Sequence, residues 1–363
     1  MNNENQTIHK SNDNLTIYGW NEKLNQLKQE SIYSTLAHGR VSIVHRTCYE
    51  VISGNGLFQC ELTGNMMYGK SDDELPCTGD WVIFQPFDEH KGIIVDSLPR
   101  ERTLYRKKSG TVADKQVIAS YVDKAFIVQS LDDNFNVRRV ERFMVQIMEE
   151  NISSVLVLNK ADLDFDRQSV EEQIKHISSQ IPVFFTSIHQ LETIVRLRKS
   201  ISEGETVVFV GSSGVGKSSL VNALCEKPVL LTSDISLSTG KGRHTSTRRE
   251  MVLMDSSGVL IDTPGVREFG LAIDNPDSLA EVLEISDYAE SCRFKDCKHI
   301  NEPGCAVIEA VNSGALDSKV YESYLKLRRE AWHFSASEHE KRKKEKSFTK
   351  LVEEVKNRKD ANR

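Results

Sequence analysis

The first stretch whose residue types and spacing suggest chemistry is a glycine-rich loop. Residues 211–218 read GSSGVGKS, which fits the phosphate-loop pattern G-x-x-x-x-G-K-S. Its glycines would let backbone N–H groups wrap phosphate oxygens, Lys217 would neutralise the reacting phosphates, and the Ser218 hydroxyl would bind Mg²⁺. An apolar strand precedes the loop and a helix follows it, as this pattern requires. The expected contacts are Gly211, Ser212, Ser213, Gly214, Val215, Gly216, Lys217, Ser218 and Ser219.

A second stretch would choose the base. Residues 159–162 read NKAD directly after the apolar run SVLVL. The Asp162 carboxylate could accept two hydrogen bonds from the N1 and N2 edge of guanine, so the wrong base would leave it unpaired. Asn159 would brace the loop and Lys160 would cover the ring. The nucleotide contacts expected here are Asn159, Lys160, Ala161 and Asp162, with Thr186 and Ser187 at the end of another apolar run.

A third stretch, VLIDTPGVREFG at 259–270, would sense the terminal phosphate. An apolar strand delivers Asp262 to hold Mg²⁺ through water, and the Gly265 backbone N–H could meet the γ-phosphate. Val266 stands where many guanine-nucleotide hydrolases place the glutamine that orients the attacking water. Another group must therefore position that water, or hydrolysis by the isolated chain must be slow.

The segment between these motifs has the composition of a mobile switch. Residues 238–250 read STGKGRHTSTRRE, glycine-rich, basic and without apolar periodicity. Thr245 or Thr247 could reach Mg²⁺ and the γ-phosphate, and the sequence does not decide between them. His244 is the candidate to orient or deprotonate water near neutral pH, and contact with a partner is an equal alternative.

A cysteine cluster near the C-terminus has metal-ligand spacing. Cys292, Cys297, His299 and Cys305 fall within fourteen residues, CRFKDCKHINEPGC. Three thiolates and one imidazole complete a tetrahedral shell, so we expect one structural Zn²⁺ with no open position for catalysis. Cys48, Cys60, Cys77 and Cys225 lack such neighbours and are expected to pack in cores.

Bulk properties set limits on partners and location. The chain has 363 residues, 39% hydrophobic and 28% charged, which is ordinary for a soluble multidomain protein. Its apolar runs are too short to span a bilayer and its start lacks the features of a signal peptide, so we expect a cytoplasmic protein that does not enter membranes. A net charge of −6 means that any RNA contact must be local.

The chain before the motifs is typical of a small antiparallel β-barrel. Short alternating segments with Gly, Asn and Asp turns recur between residues 40 and 98, and closure into a barrel would remove exposed strand edges. Barrels of the oligonucleotide-binding (OB) type bind RNA through basic and aromatic side chains. Arg40, His45, Arg46 and Tyr49 are candidates for that role, although a solvent-facing strand would have the same composition.

The central chain alternates apolar strands with amphipathic helices, which predicts a largely parallel α/β sheet. In the segment 138–151 the spacing of Val140, Phe143, Met144 and Ile147 places them on one helical face. The base-reading motif precedes the phosphate loop, the reverse of the usual order. Joining the usual termini and cutting elsewhere would leave such a sheet intact, so we interpret the domain as a circularly permuted P-loop GTPase.

The C-terminal part is expected to be helical around the zinc site, with Val320, Tyr324 and Leu327 at helical spacing. The tail contains KRKKEK at 341–346 among acidic residues, which favours a solvated helix over an RNA contact. The expected domains are an N-terminal extension (1–37), an OB-fold barrel (38–105), the permuted GTPase (106–275), a zinc-binding domain (276–335) and a mixed-charge tail (336–363).

The sequence closely resembles the RsgA (YjeQ-type) family of circularly permuted GTPases over about residues 38–330. The resemblance rests on NKADL, GSSGVGKSSLVN, GRHTST, DTPGVREFGL and CRFKDCKHINEPGCAV, in that order. It implies an OB barrel, a permuted GTPase core and a zinc domain. It also implies a monomer that uses GTP with Mg²⁺, binds the small (30S) ribosomal subunit and its rRNA late in maturation, and is stimulated by that particle. The long leader is consistent with a second copy in the same organism.

Two hypotheses follow for function. In the first, the chain is a GTP-hydrolysing assembly factor whose nucleotide state, GTP or GDP, controls its release from the subunit. In the second, it is a guanine-nucleotide-sensing module that binds RNA or the ribosome with little turnover, which Val266 favours for the isolated chain. A P-loop kinase or ATPase is disfavoured by NKAD.

Overall fold

The computed structural model describes residues 15–107, 115–226, 249–255, 258–262 and 276–335. They fall into two compact units, of which the second is residues 276–335 and the first is the rest. The predictions for His244, Thr245, Thr247, Gly265, the 341–346 run and residues 1–14 concern positions outside the described residues.

The N-terminal part of the first unit closes into a barrel. Its strands are β1 (Ala37–Val44), β2 (Tyr49–Ser53), β3 (Gly56–Leu62), β4 (Trp81–Asp88) and β5 (Lys91–Ser97). Strand β1 pairs with both β2 and β4, and β4 pairs with β5. Strand β5 runs parallel to β3, and β3 pairs with β2, which completes the ring within the described chain. Helix α2 (Gly64–Gly69), capped by the Thr63 hydroxyl, lies between β3 and β4 in sequence. The alternating pattern therefore correctly predicts the OB-type barrel.

The leader is part of this fold. Asn21 caps helix α1 (Glu22–Glu30) by accepting a hydrogen bond from the Leu24 N–H. Trp20 and Leu24 are buried against Trp81 of β4. The indole rings of Trp20 and Trp81 meet edge to face, with centroids 4.9 Å apart. The leader thus covers the barrel with an apolar face.

The sheet of the GTPase domain continues from the barrel. It contains β8 (Lys124–Ser130), β9 (Ser153–Asn159), β10 (Val183–Thr186), β11 (Thr206–Val210), β12 (Glu250–Leu253) and β13 (Val259–Asp262). Their order is β10-β9-β8-β11-β13-β12, and β12 alone among these described strands is antiparallel to its sheet neighbour β13. Strand β12 also pairs with β1 at Ile43 and Glu250. A hairpin of β6 (Leu104–Lys107) and β7 (Lys115–Ala119) lies between barrel and sheet in sequence.

Helices cover this sheet as the apolar periodicity predicts. They are α3 (Val137–Glu149), α4 (Arg167–Gln173), α5 (Lys175–Ser178), α6 (Leu191–Lys199) and α7 (Lys217–Leu224). The predicted face of α3, from Val140 to Ile147, is buried. Strands β8 and β11 are buried almost throughout, as continuous apolar runs in a two-sided parallel sheet should be.

The structure corrects two of the RNA-contact predictions. Arg40 is fully buried and joins parts of the first unit: its guanidinium donates to the carbonyl oxygens of Tyr18, Gly79 and Tyr121 and to Thr206 Oγ1, the last at 2.8 Å. An alternating pattern cannot distinguish such an arginine from a solvent-facing one.

Tyr49 is also wrong as an RNA contact, because it packs in the barrel core. His45 lies 2.7 Å from the Glu50 carboxylate, and only Arg46 of the proposed set is exposed. Among the other cysteines, Cys60, Cys77 and Cys225 are buried and Cys48 is partly buried.

The second unit is helical. Its elements are α8 (Pro276–Val282), α9 (Ser286–Ala289), α10 (Ala306–Ser313) and α11 (Ser318–Ser335). Gly314 ends α10 in the left-handed conformation. Val320, Tyr324 and Leu327 are buried along α11, which confirms the helical spacing. In the described part of the chain no helix is both long and apolar enough to span a membrane.

Candidate guanine-nucleotide site and metal cluster

The phosphate loop begins where β11 ends, and its backbone requires glycine at two tight positions. Gly211 has φ +150°, and a Cβ there would lie 2.4 Å from the Val128 carbonyl oxygen. Gly216 has φ +93°, and its Cβ would lie 2.4 Å from Asn159 Nδ2. Side chains at either place would push the loop away from the neighbouring strands. Ser218 and Ser219 lie in the first turn of α7, next to Lys217.

Lys217 turns its ammonium back over this loop. Its Nζ donates to the carbonyl oxygens of Gly211 and Ser212, each at 2.8 Å. Phosphate oxygens bound in the loop would compete for the same donors, with a full negative charge in place of carbonyl dipoles. The lysine is therefore placed to neutralise a phosphate that enters the loop.

The base-reading motif touches the phosphate loop directly. Asn159, the last residue of β9, donates from Nδ2 to the Val215 carbonyl oxygen at 2.9 Å, and its Oδ1 accepts from the Thr186 hydroxyl at 3.2 Å. All three residues are buried. Since Asn159 and Thr186 are paired neighbours at the ends of β9 and β10, the parallel sheet sets this contact.

The other members of the motif face outward from this anchor. The Ala161 N–H donates to the Thr186 carbonyl oxygen at 3.0 Å. Asp162 is exposed, and a hydrogen bond from the buried Ser187 lowers the pKa of its carboxyl group. An ionised, accessible carboxylate is the acceptor that the N1 and N2 donors of guanine need.

Sequence reasoning missed two polar residues beside these motifs. Asp132 follows β8, and its Oδ2 accepts from Lys160 Nζ at 2.8 Å. Arg139, in the first turn of α3, donates to the Ser212 hydroxyl at 3.1 Å. The available signal was the polar run DDNFN directly after a buried strand, because the C-terminal ends of parallel strands meet at one edge of the sheet.

Of the other residues predicted for the nucleotide site, the structure describes only some. Asp262 is the last residue of β13, which lies next to β11 in the sheet. His244, Thr245, Thr247 and Gly265 lie outside the described residues.

The cysteine cluster of the second unit has the dimensions of a tetrahedral metal site. The ligand atoms of Cys292, Cys297, His299 and Cys305 all lie within 4.8 Å of one another. Cys292 Sγ is 3.9 Å from Cys305 Sγ, and His299 Nδ1 is 3.5 Å and 3.4 Å from these two sulfur atoms. Tetrahedral bonds of about 2.3 Å to sulfur and 2.0 Å to nitrogen predict separations of about 3.8 Å and 3.5 Å. The donor set therefore fits Zn²⁺.

Hydrogen bonds around the cluster shape its loop. Glu302 accepts from the backbone N–H groups of Ile300, Asn301 and Lys298, and these bonds lower the pKa of its carboxyl group to about 2. The Tyr321 hydroxyl of α11 donates to the His299 carbonyl oxygen at 2.7 Å. The Glu302 carboxylate and the Tyr321 hydroxyl thus hold the turn that carries the imidazole of His299.

Comparisons with known proteins agree with this architecture. Residues 97–272 match the family model described as RsgA GTPase. The protein named small ribosomal subunit biogenesis GTPase RsgA 1 from Bacteroides thetaiotaomicron is 77% identical over 348 residues, covering 96% of this chain and 98% of the relative. This chain belongs to the RsgA GTPase family. A Methanosarcina acetivorans RsgA is 38% identical over 338 residues, with 90% of this chain and 89% of the relative covered.

Solved structures extend the RsgA comparison to the fold. The crystal structure of YjeQ from Thermotoga maritima matches with a TM-score of 0.61 and 26% identity, covering 81% of this chain and 98% of that one. YloQ, titled a circularly permuted GTPase, matches with a TM-score of 0.60 and 22% identity, covering 83% and 97%. The circularly permuted GTPase architecture predicted from motif order is therefore confirmed.

A second family model, described as ABC transporter, matches residues 194–360, a range that contains the phosphate loop. That loop is common to many nucleotide hydrolases, so the match does not identify the base. In this chain Asn159 of the guanine motif contacts Val215 of the loop, which links a guanine-specific motif to it. RsgA membership makes this chain a GTPase, a hydrolase acting on GTP.

Proposed function

We propose that this GTPase is an assembly factor acting late in maturation of the small (30S) ribosomal subunit, in the cytoplasm where that particle matures. The B. thetaiotaomicron relative named for small-subunit biogenesis supports this, because 77% identity extends over 96% of this chain. In this proposal the chain is a monomer that binds rRNA, the subunit stimulates GTP hydrolysis, and nucleotide state controls release.

The observation that best supports a guanine-nucleotide site is the hydrogen bond from Asn159 Nδ2 to the Val215 carbonyl oxygen. It brings a base-reading motif and a phosphate loop, 56 positions apart, into one buried contact. We assign the nucleotide contacts to the two motifs from Asn159 to Asp162 and from Gly211 to Ser219, with Thr186 and Ser187. Mg²⁺ bound with GTP would screen the phosphate charge, and Ser218 and Asp262 are the residues we assign to it.

We assign a structural zinc ion to Cys292, Cys297, His299 and Cys305. These side chains would hold the turn at 292–305 closed, since they fill a tetrahedral shell and leave no position for substrate. For the catalytic step we retain His244 as the residue that positions water, with Gly265 and Lys217 at the phosphates. Thr245 and Thr247 remain alternatives for the switch hydroxyl.

The decisive experiment measures GTP turnover by the purified protein alone and with small subunits, large subunits or naked RNA, with ATP as the control nucleotide. Strong stimulation by small subunits only is the expected result. Slow turnover with every partner, despite tight GTP binding, would instead favour a guanine-nucleotide-sensing module.

The Asp162→Asn variant tests the base assignment in the same assay. It should weaken GTP binding by about 100-fold or more and favour xanthosine nucleotides, because the amide presents donors where guanine also presents donors. Unchanged affinity for GTP would contradict the assignment of Asp162.

A further inference from the structure

The loop between β8 and α3 connects the two nucleotide motifs through side chains that neither motif contains. At one end, Asp132 Oδ2 accepts a hydrogen bond from Lys160 Nζ at 2.8 Å. At the other, Arg139 Nη1 donates to the Ser212 hydroxyl of the phosphate loop at 3.1 Å. Asn134 lies between them: its backbone N–H donates to Asp132 Oδ1 at 3.0 Å, and its carbonyl oxygen accepts from Arg139 at 3.3 Å.

The sheet explains why this loop can reach both motifs. Strand β8 lies between β9, which ends in Asn159, and β11, which ends at the phosphate loop. The Leu131 N–H, the first beyond β8, donates to the Asn159 carbonyl oxygen at 2.9 Å. The loop therefore starts between the two motifs, and α3 carries Arg139 to the phosphate side.

Asp132 is held as an anion in this arrangement. Partial burial raises its pKa, but hydrogen bonds from Lys160, Ser130 and the Asn134 N–H outweigh burial and lower the pKa to about 2. Lys160 has φ +61°, an unusual conformation for a lysine, and its ammonium is fixed at the far end of the side chain. A lysine held at both ends leaves its methylene stem as a flat apolar surface that can cover a base.

Ser212 is contacted by two cations. Lys217 Nζ donates to its carbonyl oxygen at 2.8 Å while Arg139 donates to its hydroxyl. Lys217 is part of the phosphate-binding pattern, whereas Arg139 comes from a separate helix. The arginine can therefore fix the first half of the loop without occupying the place of a phosphate.

We propose that Asp132 and Arg139 are positioning residues that hold Lys160, the lysine that covers the base, and the phosphate loop at the separation one guanine nucleotide requires. Asp132 acts through Lys160, and Arg139 acts through Ser212. The proposal rests on the assignment of GTP to this site, and it gives the β8–α3 loop a role in nucleotide affinity rather than in the chemical step.

The test compares charge-neutralising variants with matched neighbours. Asp132→Asn and Arg139→Gln should each weaken binding of GTP and GDP about fivefold to tenfold, the scale of one typical net hydrogen bond. Asp133→Asn and Arg138→Gln make the same charge changes one position away and should alter affinity less than about twofold. Affinity is measured by titration with fluorescent GDP and competition with GTP, at a temperature where every variant is folded.

Steady-state kinetics separate positioning from catalysis. For both variants KM should rise by the same factor as the dissociation constant while kcat stays within about twofold, because a positioning residue alters binding in ground and transition states alike. A fall in kcat with unchanged KM would overturn the positioning role, as would affinities equal to those of the neighbouring controls.

A double-mutant comparison tests the route through Ser212. If Arg139 acts through that hydroxyl, Arg139→Gln should have no further effect in a Ser212→Ala background. Additive losses would refute this route. Arg139→Lys, which keeps the charge and a donor, should recover part of the affinity. Wild-type protein that fails to bind GTP would contradict the proposed function itself, whereas tight wild-type binding with unaffected variants would contradict only this inference.

Discussion

The candidate metal site takes its side chains from fourteen consecutive residues, whereas the nucleotide site joins residues that are far apart in sequence. Asn159 reaches Val215 across 56 positions, and Arg139 reaches Ser212 across 73. A local cluster needs little from the surrounding fold but relies on an ion to close it. A distributed site needs no ion to bring its parts together, but it depends on every strand that sets its spacing.

The largest expected effect separates the two regions. Cys297→Ala should abolish zinc binding and unfold residues 276–335, because a structural zinc ion contributes roughly 10–16 kcal/mol to the folding of a small module. Metal content and hydrogen exchange of these residues report the change. GDP affinity should stay within about twofold of wild type, since strands of the first unit hold the nucleotide site.

Cys48→Ala is the matched control for that experiment, because Cys48 lies between β1 and β2 of the barrel and is not among the four clustered ligands. It should keep stoichiometric zinc. A Cys297→Ala protein with full zinc content and native stability would show that the cluster is not a metal site.

The next prediction tests how strongly the first unit depends on Arg40, a single buried side chain that contacts residues far apart in sequence. Arg40→Met should destabilise the first unit by about 3–5 kcal/mol, because it removes a buried guanidinium and leaves the acceptors Tyr18, Gly79, Tyr121 and Thr206 without their donor. Urea unfolding measures this loss. Arg46→Met, the same substitution at an exposed position near the end of β1, should cost less than about 0.5 kcal/mol.

If the two arginine variants were equally stable, the view of Arg40 as a joint between leader, barrel and sheet would fail. Loss of stability only in Arg40→Met would sharpen the contrast with the cysteine cluster, whose supporting contacts are mostly local.

The smallest expected effect is the loss of stability of the first unit at acidic pH, which we attribute to His38. Burial, together with the nearby Lys28 charge, lowers the pKa of His38 to about 4, and its Nε2 is buried without a partner. The unfolded chain, with a histidine pKa of about 6.5, then binds more protons than the folded chain between pH 6.5 and 4. The stability of the first unit should be unaffected by His38 well above pH 6.5 and should fall by about 3 kcal/mol as the pH drops to 4.

His38→Phe should remove that part of the pH dependence while keeping the ring contact with Trp20, whose centroid is 4.1 Å from the imidazole. His90→Phe, at an exposed position, should leave it unchanged. The measurement is urea unfolding of the three proteins from pH 7 to pH 4. Parallel curves for wild type and His38→Phe would mean that His38 does not carry this loss.

Sequence patterns predicted the barrel, the parallel sheet and the cysteine cluster because each depends on local periodicity or spacing. The four residues of the cluster lie so close in sequence that a short turn can bring them together. Patterns were wrong for Arg40, because alternation along a strand does not show whether another element covers the outer face. They were wrong for Tyr49, because its ring packs with the inward-facing residues of the barrel core. Asp132 and Arg139 were missed because the loop that carries them has no motif of its own.

The sequence by itself determined which chemical groups are present and in what order: a phosphate loop, a guanine motif upstream of it and a set of metal ligands. These follow from residue type and short spacing, which survive any arrangement of the rest of the chain. Only the tertiary structure decided that Asn159 meets Val215, that Arg139 meets Ser212 and that Arg40 is buried. Those contacts join residues separated by tens of positions, and only the order of strands in the folded sheet fixes their distances.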